Sequence, residues 1–253
     1  MSAKEISLER VVFEARYPYG HLFYDRCGQT LLDIENNFYD WVAAVDDNNT
    51  GVLQNPNADA RIIISNNTFN FMVKRPNPDN LEPLFYECQE IFKIVENNFG
   101  LDVYTRMGLR PNWLKPTESA EEADARVLGS SLTVSVPEEI TTNGFVMQKQ
   151  NVLIALQKDG FEYRVEMGGI IRAEGIDPAS LIRQDPKSMS ENQRNARLAA
   201  MKRAAEYRAN PKYGIQLDVD CVLYGPKELK VMEFSLRQME IVLNNFLPIL
   251  QGI

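Results

Sequence analysis

The side chains able to do chemistry in this sequence are few and scattered. His21, the single histidine, lies in YPYGHLFYDR, so any Ser-His-Asp or Cys-His mechanism and any histidine-bearing metal site would have to use it. Tyr17, Tyr19, Tyr24 and Asp25 stand close by in sequence. They have the makings of a general acid-base group, and equally of a loop histidine packed on tyrosines. Asp218 and Asp220 come next, within LDVD. Two apart on a strand, they project from one face, which is how carboxylates share a divalent cation. No third carboxylate falls at a motif spacing, and Arg164, on another outward strand face, offers them a salt-bridge partner instead. Arg106, Arg110, Asn112 and Trp113 form the third group. Arginines and an aromatic on one exposed strand face could hold a nucleobase or a peptide; an edge cluster where two domains meet fits the same residues. Gly168-Gly169, with no GxGxxG pattern and no P-loop lysine, reads as a bulge or bend rather than a phosphate cradle. No set of residues specifies a reaction, and neither cofactor nor metal is expected.

Charge offers a different kind of lead. The formal net charge of -8 opposes nonspecific binding to nucleic acid, which draws its affinity from neutralising phosphates. Residues 183–212 depart from that average, with eight bases against three acids. Arg194, Arg197, Lys202, Arg203 and Arg208 lie on a helix whose apolar stripe is thin, Leu198, Met201 and Ala205. Such a helix has little to bury and reads as an arm that engages an acidic protein partner or another copy of the chain. The three cysteines, Cys27, Cys88 and Cys221, are odd in number and far apart, which argues against a disulfide framework or a CxxC zinc site and for reduced, packed thiols. The start lacks the apolar core of a signal peptide, and no run is long and apolar enough to span a bilayer. A cytosolic protein without membrane association is the expectation.

Elements must position these groups. RVVFEAR, residues 10–16, reads as a first strand closed by YPYG. Leu31, Ile34, Phe38, Trp41 and Val42 have helical spacing within a first helix over 23–45, ended by DDNNTG. Residues 61–64 and 69–73 flank Asn66-Asn67 as a hairpin. From Asn80 the apolar residues Leu81, Leu84, Phe85, Cys88, Phe92, Val95 and Phe99 mark a second helix, capped by Asn80 and ended by Gly100. The period then changes to two, with Met107 and Leu109 inward and Arg106 and Arg110 outward. This β-α-β-β-α-β order is that of the ferredoxin-like fold, so an α+β domain is expected over 1–115.

Residues 116–130 read as an acidic linker or short helix, and 131–253 as a second antiparallel-sheet α+β domain carrying the basic arm. Its strands are expected at Leu132 to Val136, within the β-prone run 145–156, and from Phe161 with Tyr163, Val165 and Met167 inward. Lys158-Asp159-Gly160 forms the strongest hairpin turn in the chain. Leu217, Val219, Cys221 and Leu223 alternate inward, and Pro226 suits the first turn of a long C-terminal helix with the seam Leu229, Met232, Leu236, Met239, Leu243 and Phe246. IVENNF at 94–99 and IVLNNF at 241–246 align without gaps, a hint of two related halves.

Three short motifs, Arg16-Tyr17-Pro18 after the first strand, MGLRPNW at 107–113 and LDVD at 217–220, make the chain resemble a group of bacterial conserved hypothetical proteins of similar length whose function is not established. The group tends to carry a GLR-aromatic-x-N pattern, and this sequence has Pro111 at the aromatic position. The resemblance implies no activity.

Two functional readings follow. The first is a binding or assembly protein without catalysis, working through the basic arm. The second is an RNA-binding or RNA-processing protein built from paired ferredoxin-like domains, because His21 follows the first strand, near where some CRISPR-repeat ribonucleases keep a catalytic residue. A glycine-rich loop near the C-terminus and RNP aromatics are both missing from the sequence, and the chain is acidic, so the first reading is preferred.

Overall fold

The computed structural model describes residues 6–47, 50–133, 142, 147–172, 198 and 212–253. Its first strand, β1 (Ser7–Arg16), sets the pattern for the rest. Val11, Phe13 and Ala15 point to one side and are buried, while Arg10, Glu14 and Arg16 take the other, as the two-residue period of a pleated strand requires. Helix α1 (Phe23–Asn37), strands β2 (Val42–Asp47), β3 (Thr50–Asn55), β4 (Ala60–Ile64) and β5 (Thr68–Lys74), helix α2 (Glu82–Phe99) and strand β6 (Arg106–Thr117) follow. Helix α3 (Ala120–Leu128), β7 (Val152–Lys158), β8 (Phe161–Arg172), β9 (Lys212–Tyr224) and helix α4 (Val231–Ile241) complete the main elements. A π-helical turn, Val242–Phe246, carries α4 into a last helix, α5 (Leu247–Gly252). Pro248 has no N–H to offer the Asn244 carbonyl one turn back, which is where the helix widens.

The fold is α+β, with one nine-stranded sheet in the order β2-β3-β4-β5-β1-β6-β9-β8-β7, every neighbouring pair antiparallel. Read outward from the central β1/β6 pair, the order repeats: β1, β5, β4, β3 on one side and β6, β9, β8, β7 on the other. Helices α1 and α3 follow the two central strands, and α2 and α4 follow their neighbours β5 and β9. The helices cover the Phe13 face. Phe13 meets Phe69 and the α4 residue Phe234, Phe69 meets Phe92 of α2, and Phe161 stacks on Phe234. The buried apolar side chains form one contiguous cluster across the sheet. Among the described residues, no helix is long and apolar enough to cross a membrane.

Several local expectations hold. Gly100 ends α2 in the left-handed conformation (φ 63°), and Asp159-Gly160 turns β7 into β8 with φ of 52° and 82°. Tyr163, Val165 and Met167 are buried, whereas Glu162, Arg164 and Glu166 are exposed. Cys88 and Cys221 are free, buried thiols, and burial pushes both above the ordinary thiol range.

Others need correction. The first helix stops at Asn37, and Val42 begins strand β2, which pairs antiparallel with β3 and takes in Asp46 and Asp47 of the DDNN run. Trp41 is buried because its indole N–H donates to Glu87 at 2.7 Å and its ring packs on Phe71, so it anchors the hairpin and not a helical stripe. Asn80 is not the cap of α2; Leu81 holds that position without a side-chain bond. The strand expected directly after Gly100 begins only at Arg106. Tyr104 turns back onto Phe92 and donates a hydrogen bond from its hydroxyl to Glu96, and residues 101–104 stay off the sheet.

Strand β6 continues through Pro111 and Pro116, so the sheet runs unbroken to the stretch where the linker was expected. Gly168-Gly169 makes no bulge. Both glycines stay in register inside β8, where a Cβ would strike Asn151 and Asp124. The C-terminal helix begins at Val231 rather than at Pro226, and its buried stripe includes Val231, Phe234, Ser235, Gln238 and Val242 in place of Met232, Leu236 and Leu243. Gln238 sits inside because it accepts a bond from Tyr163. Val134 and Val136 of the expected strand lie outside the described residues.

Burial raises the Glu96 carboxyl above its ordinary range, and the Tyr104 hydroxyl partly offsets that. The folded chain therefore holds this proton more tightly than the unfolded chain, so the contribution is most favourable at low pH and is lost as pH rises through the raised pKa. Glu96→Gln keeps an acceptor for Tyr104 and removes the charge. Urea unfolding should show the variant gaining stability over the parent at neutral pH, with the difference vanishing below the ordinary glutamate pKa of about 4.3.

Candidate functional site

The face of the sheet opposite the helices carries the polar side chains of the three central strands. The period of two puts Glu14 and Arg16 of β1, Arg106, Arg110 and Asn112 of β6, and Asp218 and Asp220 of β9 on that face. Register then fixes their neighbours: Arg16 lies across from Arg106, Glu14 from Gly108, and Asn112 from both Arg10 and Asp218.

Arginines and carboxylates alternate across this surface. Arg16 donates through Nε to Glu14 at 2.6 Å, and Glu14 also accepts from Arg106. The second Arg106 nitrogen, Nη2, reaches both oxygens of Asp220 at 2.9 Å. Arg110 clamps Asp218 with Nε to Oδ1 at 2.7 Å and Nη2 to Oδ2 at 2.9 Å. Such fork-to-carboxylate bonds are charge-assisted and fix both orientation and distance. Asp218 is only 4% exposed, while Arg110 is 47% exposed and lies over it. Hydrogen bonding to the carboxylates raises the Arg16 and Arg110 guanidiniums above their ordinary value, Glu14 acting on the first and Asp218 on the second. Gly108 makes this possible on β6: a Cβ there would stand 2.8 Å from the Arg106 guanidinium, which rests on the bare backbone.

Asn112 is the one member without a partner among the described side chains of this ladder. It is 1% exposed and neither its Oδ1 nor its Nδ2 makes a hydrogen bond. Trp113 takes the other side of the sheet. It is buried at 3% exposure between Leu8 and Leu217, so the aromatic expected to join the arginines on one face does not do so.

The aspartate pair occupies one face as expected, but its partners come from β6; Arg164, paired with Asp220 in the β8/β9 register, is not the hydrogen-bonding arginine. His21 stands exposed in the turn after β1, its ring set edge-on to Tyr19 at 4.8 Å. The surrounding tyrosines do not converge on it. Tyr17 is buried and donates to the carbonyls of Ser65 and Thr68 at 2.7 and 3.0 Å, and Tyr24 packs on Phe23. Arg194, Arg197, Lys202, Arg203 and Arg208 lie outside the described residues. Among the described residues, no group of three or more histidine, cysteine, aspartate or glutamate side chains could hold a metal ion.

Glu14 is the member that sequence reasoning passed over. Its outward parity in FEAR was legible, but its link to Arg106 spans 92 residues and depends on the β1/β6 register.

Removing the cation from a nearly buried carboxylate is costly even where the cation itself is half-exposed. Arg110→Ala should destabilise the chain by about 3 kcal/mol in denaturant unfolding, and adding Asp218→Asn should recover part of that loss. A loss within about 0.5 kcal/mol, as for an ordinary surface side chain, would show that the pair carries no stability. No protein-family model matches this chain, and no curated protein matches it.

Proposed function

We propose that the chain is a non-catalytic binding or assembly protein, in which the basic segment 183–212 engages an acidic protein partner or another copy of the chain. The observation that carries this reading is the engagement of both candidate carboxylates. Asp218 is clamped by two nitrogens of Arg110 and Asp220 is held through both oxygens by Nη2 of Arg106, so holding a cation between them would require breaking charge-assisted hydrogen bonds to both. The charge of the chain supports the second half of the reading. Segment 183–212 carries eight bases and three acids within a chain of net charge -8, so the rest of the molecule is a complementary acidic surface for it.

In the same reading β1, α1, β4, β5, α2 and β6 form a ferredoxin-like unit with the β2/β3 hairpin inserted after α1. The strand order β6-β1-β5-β4 supports this. Residues 131–253 form the second α+β unit, into which the basic arm is inserted between β8 and β9.

Arg172 and Lys212, at the two ends of that insertion, are ladder partners, so excising the basic residues leaves the β8/β9 pair in place. Sedimentation velocity on the full chain and on a version lacking residues 183–211 tests the reading. The full chain should associate with itself, or with an acidic protein immobilised as bait, in a manner weakened by salt. The excised form should lose that association while keeping its far-UV spectrum and melting temperature. Equal masses and equal retention for the two forms would contradict it.

A further inference from the structure

The register of the sheet lets its two groups of strands be matched residue for residue. On the face under the helices, Phe13 and Leu109 pair across the β1/β6 junction, and a row of neighbours runs outward from each: Phe13 to Phe71 and Ile62, Leu109 to Cys221 and Tyr163. Strands β5 and β9 are each followed directly by a residue of positive φ, Arg75 (49°) and Gly225 (58°). The helices that come next match as well. Aligning IVENNF with IVLNNF sets Cys88, Ile91, Val95 and Phe99 against Ser235, Gln238, Val242 and Phe246, and all of them are buried. The two cores then differ in polarity at three matched positions. Ile62, Ile91 and Cys88 stand in the first where Tyr163, Gln238 and Ser235 stand in the second, and Phe71 gives way to the smaller Cys221. The first group shows that this layout needs no hydroxyl or amide there.

Ser235 and Gln238 are both 0% exposed. Tyr163 donates to Gln238 Oε1 at 3.0 Å, but Gln238 Nε2 and Ser235 Oγ have no hydrogen-bond partner among the described residues. We propose that these two atoms bind one internal water molecule between α4 and the β8/β9 pair, a site without a counterpart under α2. Residues three apart lie one above the other on a helix, with Cβ atoms about 5–6 Å apart, and a water accepting from the amide and donating to the hydroxyl spans such a gap with two ordinary hydrogen bonds. Buried waters characteristically join polar groups that the protein leaves unmet. The chemistry of the surroundings selects a neutral ligand over an ion. Burial raises the Cys221 thiol and the Tyr163 hydroxyl above their ordinary ranges, so both stay uncharged beside it. Apolar side chains at 235 and 238 would avoid the cost of two unmet groups, as the matched residues of α2 do; a bound water removes that cost instead.

A crystal structure of the full chain that resolves ordered solvent tests the site without any variant. One water should lie within about 3.2 Å of both Gln238 Nε2 and Ser235 Oγ, and none beside Cys88 and Ile91. A double-mutant cycle supplies the solution readout, run in a Tyr163→Phe background so that no hydroxyl is stranded when Gln238 is replaced. Ser235→Ala and Gln238→Met should each lower the folding equilibrium constant about fivefold by leaving the water or its other partner unmet, and the two together should recover most of that loss. Gln238 Nε2 bonded directly to Ser235 Oγ or to a main-chain carbonyl, with no water between, would overturn the proposal. So would losses that simply add in the double variant, or an equivalent water under α2, which would make hydration a property of the layout rather than of these residues.

Discussion

A carboxylate held at 4% exposure needs a cation against it, and Asp218 has Arg110. That requirement organises the middle of the sheet. Arg110 can reach Asp218 only if β6 and β9 lie side by side in a fixed register, and Arg106 bridges Asp220 and Glu14 only if β1 and β6 do so as well. A slip of one residue would turn the whole set to the other face. The charge ladder therefore specifies how β1, β6 and β9 come together, at the point where the two mirrored groups of strands meet.

The opposite face supplies the energy. Phe13, Phe69, Phe92 and Phe234 bring β1, β5, α2 and α4 into contact, and burial of aromatic surface is worth more per side chain than any exposed ion pair. The ladder adds register to that burial. Its orphan, Asn112, shows the limit: both ends of the amide are buried and unbonded, a cost of about 1–3 kcal/mol that the neighbouring strands must carry.

Much of this was legible from periodicity. Phe161 to Met167 alternated cleanly because β8 has a buried face and an exposed face, and Gly100 and Asp159-Gly160 marked backbone that ordinary residues avoid. The placement of Asp218 and Asp220 on one face followed from their spacing alone. What could not be read was register: the two arginine partners lie 114 and 108 residues away in sequence. The β2/β3 hairpin was hidden because Trp41 and Val42 happen to continue the helical spacing of Leu31 and Ile34. A proline is out of place inside a central strand, yet β6 passes through Pro111 because the β6/β9 ladder has no bridge at Arg110 and Pro111, where the missing N–H goes unneeded. In the C-terminal helix, Gln238 displaced an apolar residue from the buried stripe for a polar contact with Tyr163 that hydropathy does not register.

Whether the aspartates serve structure or bind a cation is decided most directly by titrating manganese into isotopically labelled protein. One would follow the side-chain carboxyl carbons of Asp218 and Asp220 together with the Nε–H of Arg110. With both carboxylates committed to arginine, all three signals keep their shifts and widths at millimolar metal. Selective broadening of the two aspartates, with loss of the Arg110 hydrogen bond, would contradict the account.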